Sequence, residues 1–262
     1  MTSASHAQLA QPPTSTTAST RLATLLVIGG SVLLVTSLLL RHALPDSSEL
    51  RPQLRNEPLQ EATTAAPFTT TVRGVTYTVN PVADYEIWGL VVSNHDTSTW
   101  WNWIHKASND NLNVVDLCVV FAENVTTGGY VGLDYSSGQF VCYVQTNSSE
   151  KWRRFSMRAL SNNHLLADRP SIVAKLRGVQ IGDQVHIRGF LAHYAHNHGF
   201  PFTRGTSLTR DDTGNGACET IYVQEVEVLR AGGGPWRYLL WPAIVSIVLG
   251  VVLWLRAPFR VS

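Results

Sequence analysis

The sequence predicts a mainly β domain, a small barrel with one helix between its third and fourth strands, flanked by two transmembrane helices. Three observations carry that expectation. Two uncharged apolar runs stand near the ends of the 262-residue chain. Between them, short segments rich in Val, Ile, Thr and Tyr alternate with turns containing Gly and Asn, the texture of strands and hairpins. One stretch, 168–178, carries both a helix start and a helix stop.

Residues 1–21 are rich in Ser, Thr, Ala, Gln and Pro with no apolar period, and read as a disordered cytoplasmic tail. Residues 22–40 (LATLLVIGGSVLLVTSLLL) hold no charge between Arg21 and Arg41. At about 1.5 Å per residue the run is about 28 Å long, close to the hydrocarbon thickness of a bilayer. Residues 238–255 (YLLWPAIVSIVLGVVLWL) repeat the pattern between Arg237 and Arg256, with Trp236, Trp241 and Trp254 near the ends, where indole rings favour the interface. Neither run shows the polar stripe of a surface helix. The first is longer than a signal-peptide core, and Arg41-His42-Ala43-Leu44-Pro45 offers no small-x-small cleavage site, so it reads as an uncleaved anchor. Neither span carries GxxxG, so no helix-pairing seam is evident.

Charge sets the expected orientation. The tails 1–21 and 256–262 hold Arg21, Arg256 and Arg260 and no acid. The segment 43–236 has 15 Lys and Arg against 19 Asp and Glu, a formal charge of −4. Basic tails belong in the cytoplasm, which puts the domain outside; Arg41 and Arg237, on the outer flanks, run against the rule. In a bacterium this means an inner-membrane protein with a periplasmic domain. An acidic domain also argues against nucleic acid, whose binding needs a basic surface. The one basic-aromatic cluster, Lys151-Trp152-Arg153-Arg154-Phe155, reads as a solvated loop or strand end.

Residues 43–67 contain Pro45, Pro52, Pro58 and Pro67 and read as a linker, so the domain spans 68–235. FTTTV, Arg73-Gly74 and VTYTV suggest a hairpin or an extended edge. YEIWGLVVS (85–93) is a strand in which Gly89 permits a bend. A polar loop, 94–113, carries Trp100, Trp101 and Trp103, which read as packing residues. VVDLCVVF (114–121) is the next strand, followed by a meander through Thr127-Gly128-Gly129, YVGLDY, Ser136-Ser137-Gly138 and QFVCYVQ. Ser161-Asn162-Asn163-His164 reads as a backbone-bonding turn ahead of the helix. There, Asp168 serves as N-cap or N′, Pro170 suits the first turn, and Gly178 falls at C′. QVHIRGFLAHY (184–194) alternates as a strand, a loop over 195–218 carries Asn215-Gly216, and 219–229 is the last strand.

Three strands or hairpins, a helix and two strands, with Gly in a long first strand, make an order that resembles the oligonucleotide/oligosaccharide-binding (OB) fold. GDQVHIRGFLAHY resembles its fourth strand, and the likeness covers 85–229. The chain as a whole resembles uncharacterised bacterial membrane-anchored proteins with an OB-fold-like extracytoplasmic domain, and the resemblance implies the small barrel.

The densest polar motif is His193, His196 and His198, at a strand end entering a loop, where imidazoles could hold a transition metal. Periplasmic haem chaperones resemble this layout, with an anchoring helix, an OB barrel, and His and Tyr at its C-terminal end; here these are His193 and Tyr194, and the resemblance adds haem as a candidate cofactor. That family's His-containing acidic motif is absent here, and the second span departs from it. The loop 206–220 reads as a ligand-contact loop with Arg204, Arg210 and Asp212 as its contacts. Asp212-Thr213-Gly214 matches the aspartic-protease triplet, yet its flanks are polar where that site needs apolar strands, so it reads as a turn. The three cysteines have no CxxC spacing; Cys118 and Cys142 are the candidate disulfide in an oxidising compartment, against three buried small hydrophobes. Asn124 and Asn147 open glycosylation sequons. No P-loop, HExxH, GxSxG or paired carboxylates are present. The expectation is a membrane-anchored extracytoplasmic binding or assembly protein without catalytic activity, with the lipid bilayer and another membrane or periplasmic protein as partners. A metal or haem carrier is the first alternative, and a membrane-bound hydrolase with an unidentified site the second.

Overall fold

A computed structural model describes residues 15–210 and 218–257. The chain divides into two compact units, the terminal helices in one and residues 42–233 in the other.

The terminal unit pairs α1 (Ser15–Leu40) with α6 (Trp236–Arg256), the last of six α-helices among the described residues. Both are long and apolar enough to cross a membrane. Their seam is built from small residues at seven-residue spacing: Ala23, Gly30 and Ser37 on α1, and Ala243 and Gly250 on α6, all buried. A Cβ added at Gly30 would stand 3.0 Å from the Ala243 carbonyl, and one at Gly250 would stand 2.9 Å from the Ala23 carbonyl. Ser246 Oγ donates to the Leu26 carbonyl across the pair at 3.0 Å. Small residues let apolar helices approach closely enough to gain contact energy where no hydrophobic effect drives them together. The spans lack GxxxG, and their seam follows heptad spacing instead.

Among the described residues the domain holds ten strands: β1 (Leu59–Glu61), β2 (Phe68–Val72), β3 (Val75–Asp96), β4 (Asn113–Val120), β5 (Asp134–Ser137), β6 (Cys142–Gln145), β7 (Leu160–Leu166), β8 (Gln184–His196), β9 (Phe202–Arg204) and β10 (Glu219–Arg230). Eight of them form one mixed sheet in the order β1-β3-β4-β7-β10-β8-β9, with β2 also on β3 and a further β3–β8 pairing; β5 and β6 make a separate hairpin. Among the described residues, only β7 and β10 run parallel. The mainly β, small OB-like barrel is thereby corrected: the chain is α/β, with 34% helix and 35% strand, and carries one eight-stranded mixed sheet in place of that small barrel. Edge strands in segments read as linker and loop (β1, β9) enlarge the sheet, and the terminal helices supply most of the helix.

Strand β3 is 22 residues long. Thr78 to Leu90 pairs with β8, and Leu90 to Asp96 pairs with β4. Gly89 stands at the changeover, where a Cβ would lie 3.0 Å from Val119 Cβ. One core gathers Tyr85, Ile87, Leu117, Leu165, Ile187 and Ile221, with Ile172 and Leu176 of α5 (Pro170–Gly178). Helix α5 starts after Arg169, so Asp168 is N′, and Gly178 lies within the helix ahead of Val179. A second core gathers Leu90, Val92, Cys118, Val120 and Tyr130 with Leu50 and Leu54. Those two leucines come from the proline-containing segment read as linker. Its 3-10 turns, Ser47–Glu49 and Pro52–Arg55, dock on the domain, helped by Tyr130 Oη donating to the Pro45 carbonyl at 2.6 Å and the Arg51 amide donating to Gln184 Oε1 at 2.7 Å. Ser161 to His164 is strand β7, buried, and not a turn.

Strands β8 and β10 approach so closely that a Cβ at Gly189 would fall 2.1 Å from the Tyr222 carbonyl. Gly189→Ala is expected to cost about 1–3 kcal/mol through overpacking, seen as a lower thermal midpoint of the full-length protein in detergent. Gly178→Ala, with nothing within 4 Å of its added Cβ, should hold or raise the midpoint. An unchanged midpoint in Gly189→Ala would refute the close approach.

Candidate functional site

Asp116 of β4 and His164 of β7 face each other across the antiparallel pair. Both are fully buried, and His164 Nδ1 donates to Asp116 Oδ1 at 2.7 Å. Asn113 Nδ2 donates to the same oxygen at 2.8 Å, while Asp116 Oδ2 and Asn113 Oδ1 have no hydrogen-bond partner. Beside them, Asp110 Oδ2 takes hydrogen bonds from His105 Nδ1 at 3.0 Å and from Tyr194 Oη at 2.8 Å. His105 belongs to the short helix α2 (Trp103–Ala107), and its Nε2 is buried without a partner.

The β5–β6 hairpin lies over this cluster. Phe140, in its turn, has a φ of 67°, a left-handed conformation that a bulky residue adopts only when its surroundings hold it there. Its ring centroid stands 4.1 Å from that of His105 and 5.6 Å from that of His164. The Arg204 guanidinium caps the other face, 3.6 Å from the ring centroid, and its Nη2 donates to His164 Nε2 at 3.1 Å. Cys142 of β6 is joined to Cys118 of β4 by a disulfide, with Cα atoms 6.0 Å apart, which pins the hairpin to the sheet. The Phe140 carbonyl accepts from Asn162 Nδ2 at 3.0 Å. Cys218 Sγ lies 3.4 Å from that same Nδ2 and within hydrogen-bonding reach of His164.

Burial by itself would raise the Asp116 carboxyl, but the His164 charge and hydrogen bond, with the Asn113 amide, outweigh it and hold the group at about 2. Burial by itself would lower His164, and the Asp116 charge and hydrogen bond outweigh that and lift it to about 9. A second buried set lies nearby. Burial pushes Glu219 up, offset in part by Arg210 at 2.9 Å and by Ser161 Oγ donating at 2.6 Å. Arg210 also donates to Tyr85 Oη at 2.8 Å.

The residues expected to bind ligand are placed differently. Arg210 is occupied inside the domain by Glu219 and Tyr85, Arg204 belongs to the His164 cluster, and Asp212 lies outside the described residues, as do Thr213-Gly214 and Asn215-Gly216. His193, His196 and His198 are not brought together. His196 is buried, with Nε2 donating to the Ser108 carbonyl at 2.8 Å and Nδ1 accepting the His198 amide at 3.1 Å, so neither nitrogen is free for a metal. His193 is partly exposed beside Gly205, and His198 is exposed. Among the described residues, no three His, Cys, Asp or Glu gather to hold a metal ion. Tyr194, the candidate haem partner, is buried with its hydroxyl on Asp110. In the sequence, Asn162 and His164 read as part of a turn ahead of the helix and not as strand residues facing Asp116 and Phe140. Their signal was the two-residue spacing of Asn162 and His164, which puts both on one face of a strand.

The fold and the cluster define a mixed α/β domain with two long apolar helices at the chain ends. No protein family, curated protein or solved structure matches the chain, so no relative assigns the cluster a role.

A depressed Asp116 contributes stability above its ordinary 3.8 that is lost as pH falls through about 2. A raised His164 contributes stability below its ordinary 6.5 that is lost as pH rises through about 9. The pair therefore contributes in full between about pH 4 and pH 6.5 and fades on the alkaline side. Asp116→Asn leaves a buried histidine without its counter-charge and is expected to cost about 3–5 kcal/mol. Denaturation midpoints of the full-length protein across pH check this: the decline from pH 6.5 to about 9 should flatten in the variant.

Proposed function

We propose that the protein spans the membrane twice, holds residues 42–233 outside the cytoplasm, and uses that domain to dock a partner protein. The observation that carries this reading is the loop after β3. Trp100, Trp101 and Trp103 are 82%, 54% and 67% exposed there. The backbone beneath them is braced from within: Thr97 Oγ1 donates to the Asn113 and Val114 carbonyls at 2.7 and 2.9 Å, and buried Asn102 donates from Nδ2 to the Thr97 carbonyl at 2.6 Å. Tyr77 Oη adds a short hydrogen bond to the Asn109 carbonyl. Large rings on a fixed backbone lose little freedom on binding, and tryptophans dominate interface energetics.

Within the domain, this loop and the chain's entry and exit lie at opposite ends of β8. Ala43 and Gly232, where the chain enters and leaves the domain, both approach Gly182, just ahead of β8. The loop is held beyond the other end of β8, where Asn109 Nδ2 donates to the His198 carbonyl at 3.2 Å. Strand β8 is 13 residues long, about 40 Å of curved strand at roughly 3.3 Å per residue. The Cys118–Cys142 disulfide and the basic tails support an oxidising, extracytoplasmic location. In a bacterium that is the inner membrane with the domain in the periplasm.

A reporter fused after Ser262 is expected to read as cytoplasmic. A photoreactive residue at position 101 should give one discrete cross-linked product in native membranes. Trp100→Ala with Trp103→Ala should weaken it at least about 30-fold, the loss of a hot spot of about 2 kcal/mol, with an unchanged thermal midpoint. Quenching of these tryptophans by brominated lipid in proteoliposomes would overturn the docking reading, and an extracytoplasmic reporter would overturn the topology.

A further inference from the structure

Lys151 to Arg154, in the sequence a solvated loop or strand end, form most of a short helix, α4 (Ser149–Arg154), with Phe155 as its C-cap. Ser148 Oγ caps its start by accepting the Lys151 amide at 3.3 Å. Phe155 is buried in the second core, its ring centroid 6.2 Å from that of Tyr135. That anchor leaves the rest of the helix outside. Lys151, Arg153 and Arg154 are exposed, and Trp152, beside Phe155 at 6.1 Å, is still 46% exposed. Residues 148–158 carry Lys151, Arg153, Arg154 and Arg158 against Glu150, a formal +3 inside a segment, 43–236, of −4. Among the described residues, no carboxylate pairs with Lys151, Arg153 or Arg154. Lys151 Nζ donates instead to the Gly132 carbonyl and Arg154 Nη2 to the Thr127 carbonyl, each at 3.1 Å. Val131, between those two carbonyls in the chain, is 52% exposed. Cationic heads and exposed apolar side chains therefore stand side by side on α4 and the 127–132 segment.

That segment is also tied to the point where the chain enters the domain. Tyr130 Oη donates to the Pro45 carbonyl at 2.6 Å, and a Cβ at Gly128 would stand 3.8 Å from Ser47 Oγ. Pro45 follows Leu40, the end of the first apolar run, by five residues, at most about 18 Å of extended chain. We infer that α4 and residues 127–132 form a contact surface for anionic lipid headgroups, with Lys151, Arg153 and Arg154 on the lipid phosphates and Trp152 and Val131 at the boundary with the hydrocarbon. A patch on so short a tether meets the bilayer at a high effective concentration, so modest attraction is enough to hold it there. Each basic side chain close to an anionic membrane strengthens binding by roughly fivefold, and an indole beside such charges favours the interface. The acids beside the tether are engaged elsewhere: Glu49 pairs with Arg230, and Asp46 accepts from the Ser48 amide and hydroxyl. Glu150, and Glu123 of α3 (Ala122–Thr127), remain against the four bases. The inference rests on the reading that the first apolar run spans the bilayer. It depends neither on the side of the membrane the domain occupies nor on the tryptophan loop.

The test uses the full-length protein in nanodiscs of phosphatidylglycerol or of phosphatidylcholine, with a photoreactive residue at position 131, which leaves every cation in place. The expected result is a lipid adduct, read by intact mass and peptide mapping, at least about tenfold more abundant in phosphatidylglycerol, the effect of two or more cations at roughly fivefold each. The preference should vanish at about 1 M salt, where screening shortens to about 3 Å. Arg153→Glu should reduce it at least about fivefold with an unchanged thermal midpoint. Equal adduct yields in the two lipids would overturn the proposal, and so would the absence of a lipid adduct from both. Washing native membranes with alkaline carbonate tells the two failures apart. Release of the protein would overturn the span and this inference with it, whereas a retained protein that gives no lipid adduct would overturn this inference alone.

Discussion

The domain depends on one strand, β3, which supplies backbone pairing to four others. It pairs with β2 at its start, with β1 near its middle, with β8 along most of its length, and with β4 at its end. A strand buried this way cannot slip by one residue without turning its whole apolar set outward. Its alternation shows why: Val75, Tyr77, Val79, Tyr85 and Ile87 point inward and their neighbours largely do not. Gly89 lets the strand leave β8 for β4 without a side chain striking Val119. Tyr77, near the start of β3, reaches the loop that follows its end, where its hydroxyl donates to the Asn109 carbonyl and accepts the Asn111 amide.

The buried polar cluster is costly, and its form follows from the cost. A carboxylate and an imidazolium removed from water need each other and need their remaining hydrogen-bonding capacity met. Asp116 and His164 meet the first need, and Asn113 and Arg204 go part of the way to the second. Asp116 Oδ2, Asn113 Oδ1 and His105 Nε2 remain buried and unpartnered. A pair kept only for stability would be replaced at little loss by apolar side chains. The hairpin over it, with its left-handed Phe140 and its disulfide to β4, excludes water from one side and leaves Cys218 the partly exposed side.

Some of this was legible in the sequence. The apolar runs reveal the terminal helices, Pro170 marks the start of α5, and Gly89 marks the bend in β3. The seam between the terminal helices escaped because its small residues recur every seventh position, where a four-residue spacing was sought. The sheet's extent escaped because Leu59 to Glu61 lies between prolines and reads as linker, and because Phe202 to Arg204 is three residues in a polar loop. Strand β7 escaped for a deeper reason. Ser161-Asn162-Asn163-His164 has the composition of a turn, and only tertiary partners turn it into strand: Glu219 takes the Ser161 hydroxyl on one face, and Asp116 takes the His164 proton on the other. The histidine motif misled in the converse way. Three imidazoles close in sequence suggest a ligand set, but His196 spends both nitrogens on backbone groups and His193 leaves the opposite side of the strand.

The convergence of both domain ends at Gly182 has a mechanical consequence. Gly232 donates its amide to Asp183 Oδ1 at 2.8 Å, and Arg230 grips the carbonyl and the carboxylate of Glu49, each at 2.7 Å. A force that drew the two ends of the domain apart would bear on these three hydrogen bonds together with the one from Tyr130 to the Pro45 carbonyl, at the rim of the β8–β10 ladder and across its strands.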